Sequence, residues 1–214
     1  MKDLCVIFDS DGTLVDSEKL CNQAFLDLLP ELNEPCEALI RRYRGKKLST
    51  ILADLQARIG RGLPEFFEQH YREQVSELFT RELKPVPGVV EMLSGLPFAN
   101  CVASGGPVQK IRHALKVSGL LSYFDGRVFS SYEVGSWKPD PGLFLYAAEA
   151  MGFMPQHCAV VEDSDVGIQA ALAAGMNAFH YLPEEGATAY AGAVPFSDMS
   201  ALSRILARAA EQLH

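Results

Sequence analysis

No stretch of this 214-residue chain approaches the ~18 consecutive apolar residues that a membrane span requires. The beginning, Met1-Lys2-Asp3 followed only by Leu4 to Phe8, is too short for the apolar region of a secretory leader and runs straight into acidic residues. A cytoplasmic protein is the expectation. Positive charge is also scarce: 19 Lys and Arg face 27 Asp and Glu, a net charge of −8. Phosphate backbones select basic proteins, so nucleic acid is not an expected partner, whereas a small anion needs only a local positive site. The five cysteines, Cys5, Cys21, Cys36, Cys101 and Cys158, contain no C-x-x-C pair and are odd in number. Cys5, Cys101 and Cys158 lie in apolar runs and read as buried free thiols of a reducing compartment. His70, His113, His157, His180 and His214 show no metal-ligand spacing and read as surface or packing residues. Internal repeats, low-complexity segments and any mark of an obligate protein partner are missing too.

What is present is ordinary for a soluble globular protein: 48% hydrophobic and 21% charged residues. The length fits one large domain, or one domain with a smaller insert, and is enough to fold without staples. Short apolar runs, Leu4 to Phe8, Phe98 to Ala103, Arg127 to Phe129, Cys158 to Val161 and Asn177 to Tyr181, read as strands. Helical stretches alternate with them at Pro107 to Val117, Pro141 to Met151, Gly167 to Ala174 and Met199 to Leu213. Continuous apolar strands separated by helices imply a parallel sheet covered on both faces.

One region breaks the alternation. From Ser17 to Lys84 there is no convincing strand. Leu63 to Lys84 carries Phe66, Phe67, Tyr71, Val75, Leu78 and Phe79 at helical spacing, and Leu20 to Leu29, Cys36 to Tyr43 and Leu48 to Ile59 also read as helices. Breaks fall at Pro30, at Gly45 and at Gly60-Arg61-Gly62-Leu63-Pro64, and Pro85-Val86-Pro87-Gly88 returns the chain to the sheet. A helical insert therefore follows the first strand.

Four strand ends carry polar chemistry. Phe8-Asp9-Ser10-Asp11-Gly12-Thr13-Leu14 places two carboxylates at the end of an apolar strand, where ligands of open parallel sheets bind. Asp-Gly is also a common turn pair; a calcium loop fails on spacing, because its glycine would fall on Leu14. Val102-Ala103-Ser104-Gly105-Gly106 offers a hydroxyl and glycine amides for phosphate oxygens, or is simply a polar loop. It is not a serine-hydrolase elbow, since Val102 occupies the first glycine position of G-x-S-x-G. In Trp137-Lys138-Pro139-Asp140-Pro141, Pro139 biases Lys138 toward an extended conformation and Pro141 can start a helix. A lysine fixed in this way can reach an anion, although a lone lysine usually lies on a solvated face. Val160-Val161-Glu162-Asp163-Ser164-Asp165 again ends a strand in acids, which a hard cation or a helix cap could use.

Taken in order, DxDGT, Ser104, Lys138 and Glu162-Asp163 resemble the motif set of the haloacid-dehalogenase superfamily of phosphotransferases, and the resemblance spans nearly the whole chain. It implies an α/β fold: a Rossmann-like parallel-sheet core, residues 1–16 and 85–214, with a small all-helical cap, residues 17–84, inserted after the first strand. It further implies that Asp9 is the nucleophile that becomes an aspartyl-phosphate, and that Asp11 protonates the leaving oxygen and then activates water. Thr13 would fix the loop, Ser104 and the Gly105 amide would hold the transferring phosphoryl oxygens, and Lys138 would pair with Asp9 and the phosphate. Mg2+ would be held by Asp9, the backbone carbonyl of Asp11 and Asp163, with Glu162 on the metal or beside it. The Lys138-Pro139 bond is expected to be cis. Because Asp11 must carry a proton in the first step, its surroundings are expected to raise its pKa.

Dehalogenases of the superfamily lack the second aspartate, so Asp11 favours phosphoryl transfer. The sequence is most similar to the β-phosphoglucomutase-like and sugar-phosphate phosphatase subgroup. Cys21 stands where the mutases carry a cap histidine and Leu48 where they carry a cap arginine, which favours water as the final acceptor. A mutase and a non-catalytic sugar-phosphate sensor remain the alternatives. The basic run Arg41-Arg42-Tyr43-Arg44-Gly45-Lys46-Lys47 is either a solvated helix end or a cap loop facing the substrate. In the second reading Arg44, Lys46 and Lys47 receive an anionic tail, as on a sugar-acid phosphate such as 6-phosphogluconate.

Overall fold

The computed structural model describes residues 4–124 and 126–211. The expectations placed on residues 1–3, Leu213 and His214 lie outside the described residues. Six parallel strands, β1 (Cys5–Phe8), β2 (Ala99–Ser104), β3 (Val128–Ser130), β4 (Cys158–Glu162), β5 (Asn177–Tyr181) and β6 (Val194–Phe196), form one sheet in the order β3-β2-β1-β4-β5-β6. β1 lies in its interior, paired with β2 on one side and β4 on the other. The ends of these three strands therefore meet, whatever their separation in sequence.

Successive side chains of a strand point to opposite faces, and the two cores follow that alternation. Val6, Phe8, Val102, Val161 and Phe179 belong to one core, and Cys5, Ile7, Cys101, Ala103, Cys158 and Val160 to the other. Helices α1 (Glu18–Leu28), α2 (Cys36–Tyr43), α3 (Leu48–Ile59) and α4 (Phe67–Glu82) follow β1, and α5 (Val89–Ser94) precedes β2. Next come α6 (Val108–Val117), α7 (Leu121–Phe124), α8 (Ser131–Val134), α9 (Gly142–Met151), α10 (Asp165–Ala173) and α11 (Leu202–Glu211). Buried residues of α5, α6 and α11 complete the first core, and those of α9 and α10 the second. Cys5, Cys101 and Cys158 are free and fully buried. No helix among the described residues is long and apolar enough to cross a membrane.

The apolar face of the α1–α4 insertion is continuous with the first core. Phe67, Tyr71, Val75, Leu78 and Phe79 recur on one face of α4 and are all buried. The Phe25 ring of α1 stacks on Tyr71, with centroids 4.1 Å apart and planes 2° from parallel, and meets the edge of Tyr43 at 6.2 Å. Phe66, read from sequence as part of this stripe, is instead 64% exposed and precedes the helix. The chain segments that enter and leave the insertion pair side by side: Asp16 N donates to Lys84 O at 3.0 Å, and Val86 N to Leu14 O at 3.0 Å.

Three features were not anticipated. β6 is three residues at the sheet edge and contains Pro195, which has no N–H for the ladder and is tolerated there. α5, α7 and α8 are six, four and four residues long, too short for hydrophobic periodicity to show. The last helical stretch opens as a separate 3-10 turn, Met199–Ala201, where the Asp198 side chain accepts from Ser200 N at 2.9 Å.

Candidate active site

Asp9 is the first residue beyond β1. Its backbone N–H still bonds Val161 O at 3.0 Å, which fixes its place against β4. The side chain is buried, and Lys138 Nζ donates to Asp9 Oδ1 at 2.6 Å. The same ammonium donates to Glu162 Oε1 at 2.5 Å. The Lys138-Pro139 peptide is cis, as expected. The other Glu162 oxygen accepts from Ser164 N at 2.7 Å and Ser164 Oγ at 2.8 Å. Both Glu162 oxygens are therefore occupied, and their contacts make the residue an anchor for Lys138.

Asp11 is half-buried between two donors. Lys110 Nζ, from the first turn of α6, lies 2.7 Å from Oδ2, and Ser17 Oγ, at the entry to α1, lies 2.5 Å from Oδ1. Burial alone would raise the Asp11 pKa, but the Lys110 charge and the Lys110 and Ser17 hydrogen bonds outweigh it and hold the carboxyl below its usual range. The expectation of a raised pKa is thus not met, because sequence showed neither donor. For Asp9 the balance runs the other way: burial pushes it up, the Lys138 charge only partly opposes this, and Glu162 and Asp11 add repulsion.

Asp163 follows β4 and is buried, with Thr13 Oγ1 donating to its Oδ1 at 3.2 Å. Gly12 has φ +78°, and a Cβ there would stand 2.4 Å from Asp163 Oδ2. The DxDGT turn can close on Asp163 only because that position is glycine. Sequence offered Asp163 or Asp165 as a helix cap; the cap of α10 is Ser164, whose Oγ accepts from Gly167 N at 3.2 Å. Ser104 is buried at the end of β2, and Gly106 N donates to its Oγ at 3.4 Å. Gly105 is exposed beside it. The loop is held from beneath by Ser130 Oγ, which donates to Gly106 O at 2.6 Å.

Asp9, Asp11, Ser104, Lys110, Lys138 and Asp163 line one cavity of about 660 Å³ between the strand ends and the helical insertion. Arg44, Lys46 and Lys47 line it as well. Arg44 is already engaged: its guanidinium bonds Glu18 at 2.9–3.1 Å, Glu184 at 3.4 Å, and approaches Asp163 at 3.7 Å. Lys47 Nζ rests 3.5 Å from the centre of the Trp137 ring, and Lys46 is exposed. Gly45 brings this loop onto the core; with φ +71°, a Cβ there would meet Val166 Cγ2 at 2.6 Å. Cys21 and Leu48 also line the cavity and supply neither the histidine nor the arginine of a mutase. His180 is buried as a packing residue, with Nδ1 accepting from Tyr190 N at 3.2 Å.

Among the described residues no three His, Cys, Asp or Glu side chains are gathered as a ready-made metal cage. A hard divalent cation still fits. Burial, reinforced by Glu162, Glu18 and Asp9 and only partly opposed by Arg44, pushes Asp163 well up, and Asp9 is raised as well. Two buried carboxylates short of positive charge suit Mg2+, which takes one or two carboxylates and completes its shell with water and phosphate.

Sequence reading missed both donors to Asp11, Ser17 and Lys110. A lysine on a helix face is ordinarily solvated, and the available signal was its place in the first turn of the helix that opens at the Ser104 loop.

A haloacid dehalogenase-like hydrolase family model matches residues 4–175. The chain is 37% identical over 180 residues to a 6-phosphogluconate phosphatase of Escherichia coli (strain K12), covering 82% of this chain and 81% of the relative. It is 32% identical to hexitol phosphatase A of the same organism, covering 79% and 78% of the two chains. Among solved structures, a conserved haloacid dehalogenase-like protein of unknown function from Agrobacterium tumefaciens str. C58 superposes with a TM-score of 0.82 at 30% identity, covering 98% of this chain and 100% of that one.

Proposed function

The chain belongs to the haloacid dehalogenase-like hydrolases and is a phosphatase among them, and we propose that it hydrolyses small sugar phosphates with Mg2+ through a phosphoryl group carried on Asp9. The observation that carries this reading is the Asp9–Lys138–Glu162 chain, with Asp11 two residues on, at the strand ends that open into one cavity.

A carboxylate attacking a phosphate dianion meets like-charge repulsion. Lys138, fixed by Glu162, holds positive charge against Asp9 and is placed to offset it. Asp9, Asp163 and the Asp11 carbonyl would hold the Mg2+ ion. When bound, the ion supplies charge that lowers the repulsion and orients the phosphoryl oxygens. Ser104 Oγ and the Gly105 N–H bind those oxygens. An Asp9 oxygen forms a bond to phosphorus as the bond to the leaving oxygen breaks, and Asp11, which takes up a proton from solvent when the phosphate dianion brings negative charge beside it, gives that oxygen the proton. Asp11, now a carboxylate, takes a proton from water, which attacks phosphorus and frees Asp9. Splitting one displacement into two lowers each barrier.

In this reading residues 17–84 are a cap hinged at the paired segments around Val15 and Pro85, and its closure excludes bulk water. Lys46 and Lys47 supply charge for an anionic tail, which favours sugar-acid phosphates such as 6-phosphogluconate; Arg44, tied to Glu18, orders their loop. Free cysteines accord with a cytoplasmic enzyme. The test is phosphate release from a panel of sugar and sugar-acid phosphates, with Mg2+ and then with chelator. Chelator-sensitive release, led by sugar-acid phosphates, is expected. Release indifferent to chelator, or none from any member, would overturn the reading.

A further inference from the structure

Each of the two strand-end aspartates has its own lysine. Lys138, paired with Asp9, is nearly buried and held from behind by Glu162. Lys110 differs. Among the described residues its only carboxylate partner is Asp11, it comes from a different element, α6, and it lines the cavity with about a quarter of its side chain exposed. The Phe79 ring of α4 lies 5.6 Å from its ammonium, so Lys110 bridges the core helix, the acid/base residue and the wall of the helical insertion.

We propose that Lys110 is a positioning residue for the general acid/base, a role that rests on the phosphatase reading above. It fixes the Asp11 carboxyl by one strong charged hydrogen bond, and it faces the charge that appears there. In the first half-reaction the Asp11 O–H bond breaks, its proton passes to the leaving oxygen as the phosphorus–oxygen bond breaks, and the remaining electron pair stays on Asp11. That new carboxylate is formed beside an ammonium already in place. Lys110 thus acts on the leaving-group side of the reaction and Lys138 on the nucleophile side. The sequence motifs reveal only the second of these lysines.

The consequence is selective. A poor leaving group, the alkoxide of a sugar phosphate, needs its proton from Asp11; a good one, p-nitrophenolate, barely does. The experiment compares kcat/KM, which reports the first phosphoryl transfer, for a sugar phosphate and for p-nitrophenyl phosphate in wild type, Lys110→Met and Lys110→Arg, each with Mg2+. Lys110→Met is expected to lose about 10²-fold on the sugar phosphate, in the range for a general acid, and at least about tenfold less on p-nitrophenyl phosphate. Lys110→Arg, which keeps a cation near Asp11, is expected to recover much of the sugar-phosphate rate. Equal losses on both substrates in a variant that melts like wild type would mean that Lys110 binds the transferring phosphoryl group, and would overturn the proposal. So would no loss on either. If Lys110→Met does not fold, Lys110→Gln carries the same comparison. A wild type that hydrolyses neither substrate would defeat the phosphatase reading itself, an outcome distinct from these.

Discussion

Asp9 and Asp11 stand two positions apart on one loop, yet their surroundings push their carboxyls in opposite directions. Asp9 is raised by burial that Lys138 only partly offsets, with Glu162 and Asp11 adding repulsion. Asp11 is lowered because Lys110 and Ser17 outweigh its burial. Sequence showed the two acids and their place at a strand end, since DxDGT is local. It could not show which cation each would meet, because Lys110 and Lys138 arrive from 99 and 129 residues away. The same limit applies to Gly12, legible as a turn glycine but not as the position packed on Asp163. Gly12→Ala is expected to cost about 1–2 kcal/mol, from the left-handed backbone alone, and to weaken metal activation by displacing the Asp163 carboxylate. Urea unfolding and a Mg2+ titration of activity check both; an unchanged variant would show that Asp163 is free to swing aside.

At the scale of elements, legibility followed length and periodicity. α4 was visible because aromatic residues recur on one face over four turns, and β1 and β4 because fully apolar runs end in acids. β6 was not, since Pro195 argues against a strand wherever edge position is unknown. The stacked Phe25–Tyr71 pair ties α1 to α4. Phe25→Ala should therefore lower the unfolding free energy by about 3–5 kcal/mol; a loss below about 1 kcal/mol by urea denaturation would show that the insertion repacks around the gap. The loop after α2 is tied to the core by Lys47 on Trp137, the chain's single tryptophan. An exposed cation–ring contact is worth about 0.5–1 kcal/mol, so Lys47→Ala should raise KM for a sugar-acid phosphate roughly two- to fivefold and shift the tryptophan emission. An altered KM with unaltered emission would separate substrate contact from the ring contact.

For the molecule as a whole, the sheet order brings β2, β1 and β4 side by side, and with them the Asp9–Asp11, Ser104 and Glu162–Asp163 motifs, while Lys138, read from sequence as a strand end, reaches the same place from the loop between α8 and α9. The helical insertion closes the other side of the cavity, and the net charge of −8 is offset locally by lysines that line it. The carboxylates Asp9 and Asp163 remain short of positive charge. A divalent cation that binds the folded state alone must therefore stabilise it, by about 2.7 kcal/mol at a hundred times its Kd. Saturating Mg2+ is expected to raise the melting temperature by about 5 °C or more, reversibly with chelator; no shift would place the metal elsewhere or nowhere. The central claim is that phosphate passes through Asp9, and its most direct test is acid quenching during turnover of a sugar phosphate, followed by peptide mass spectrometry. The account predicts one phosphoryl group on the peptide bearing Asp9, and neither adduct nor appreciable turnover in Asp9→Asn. Phosphate release that continues in Asp9→Asn, or a phosphoryl group found on another residue, would contradict it.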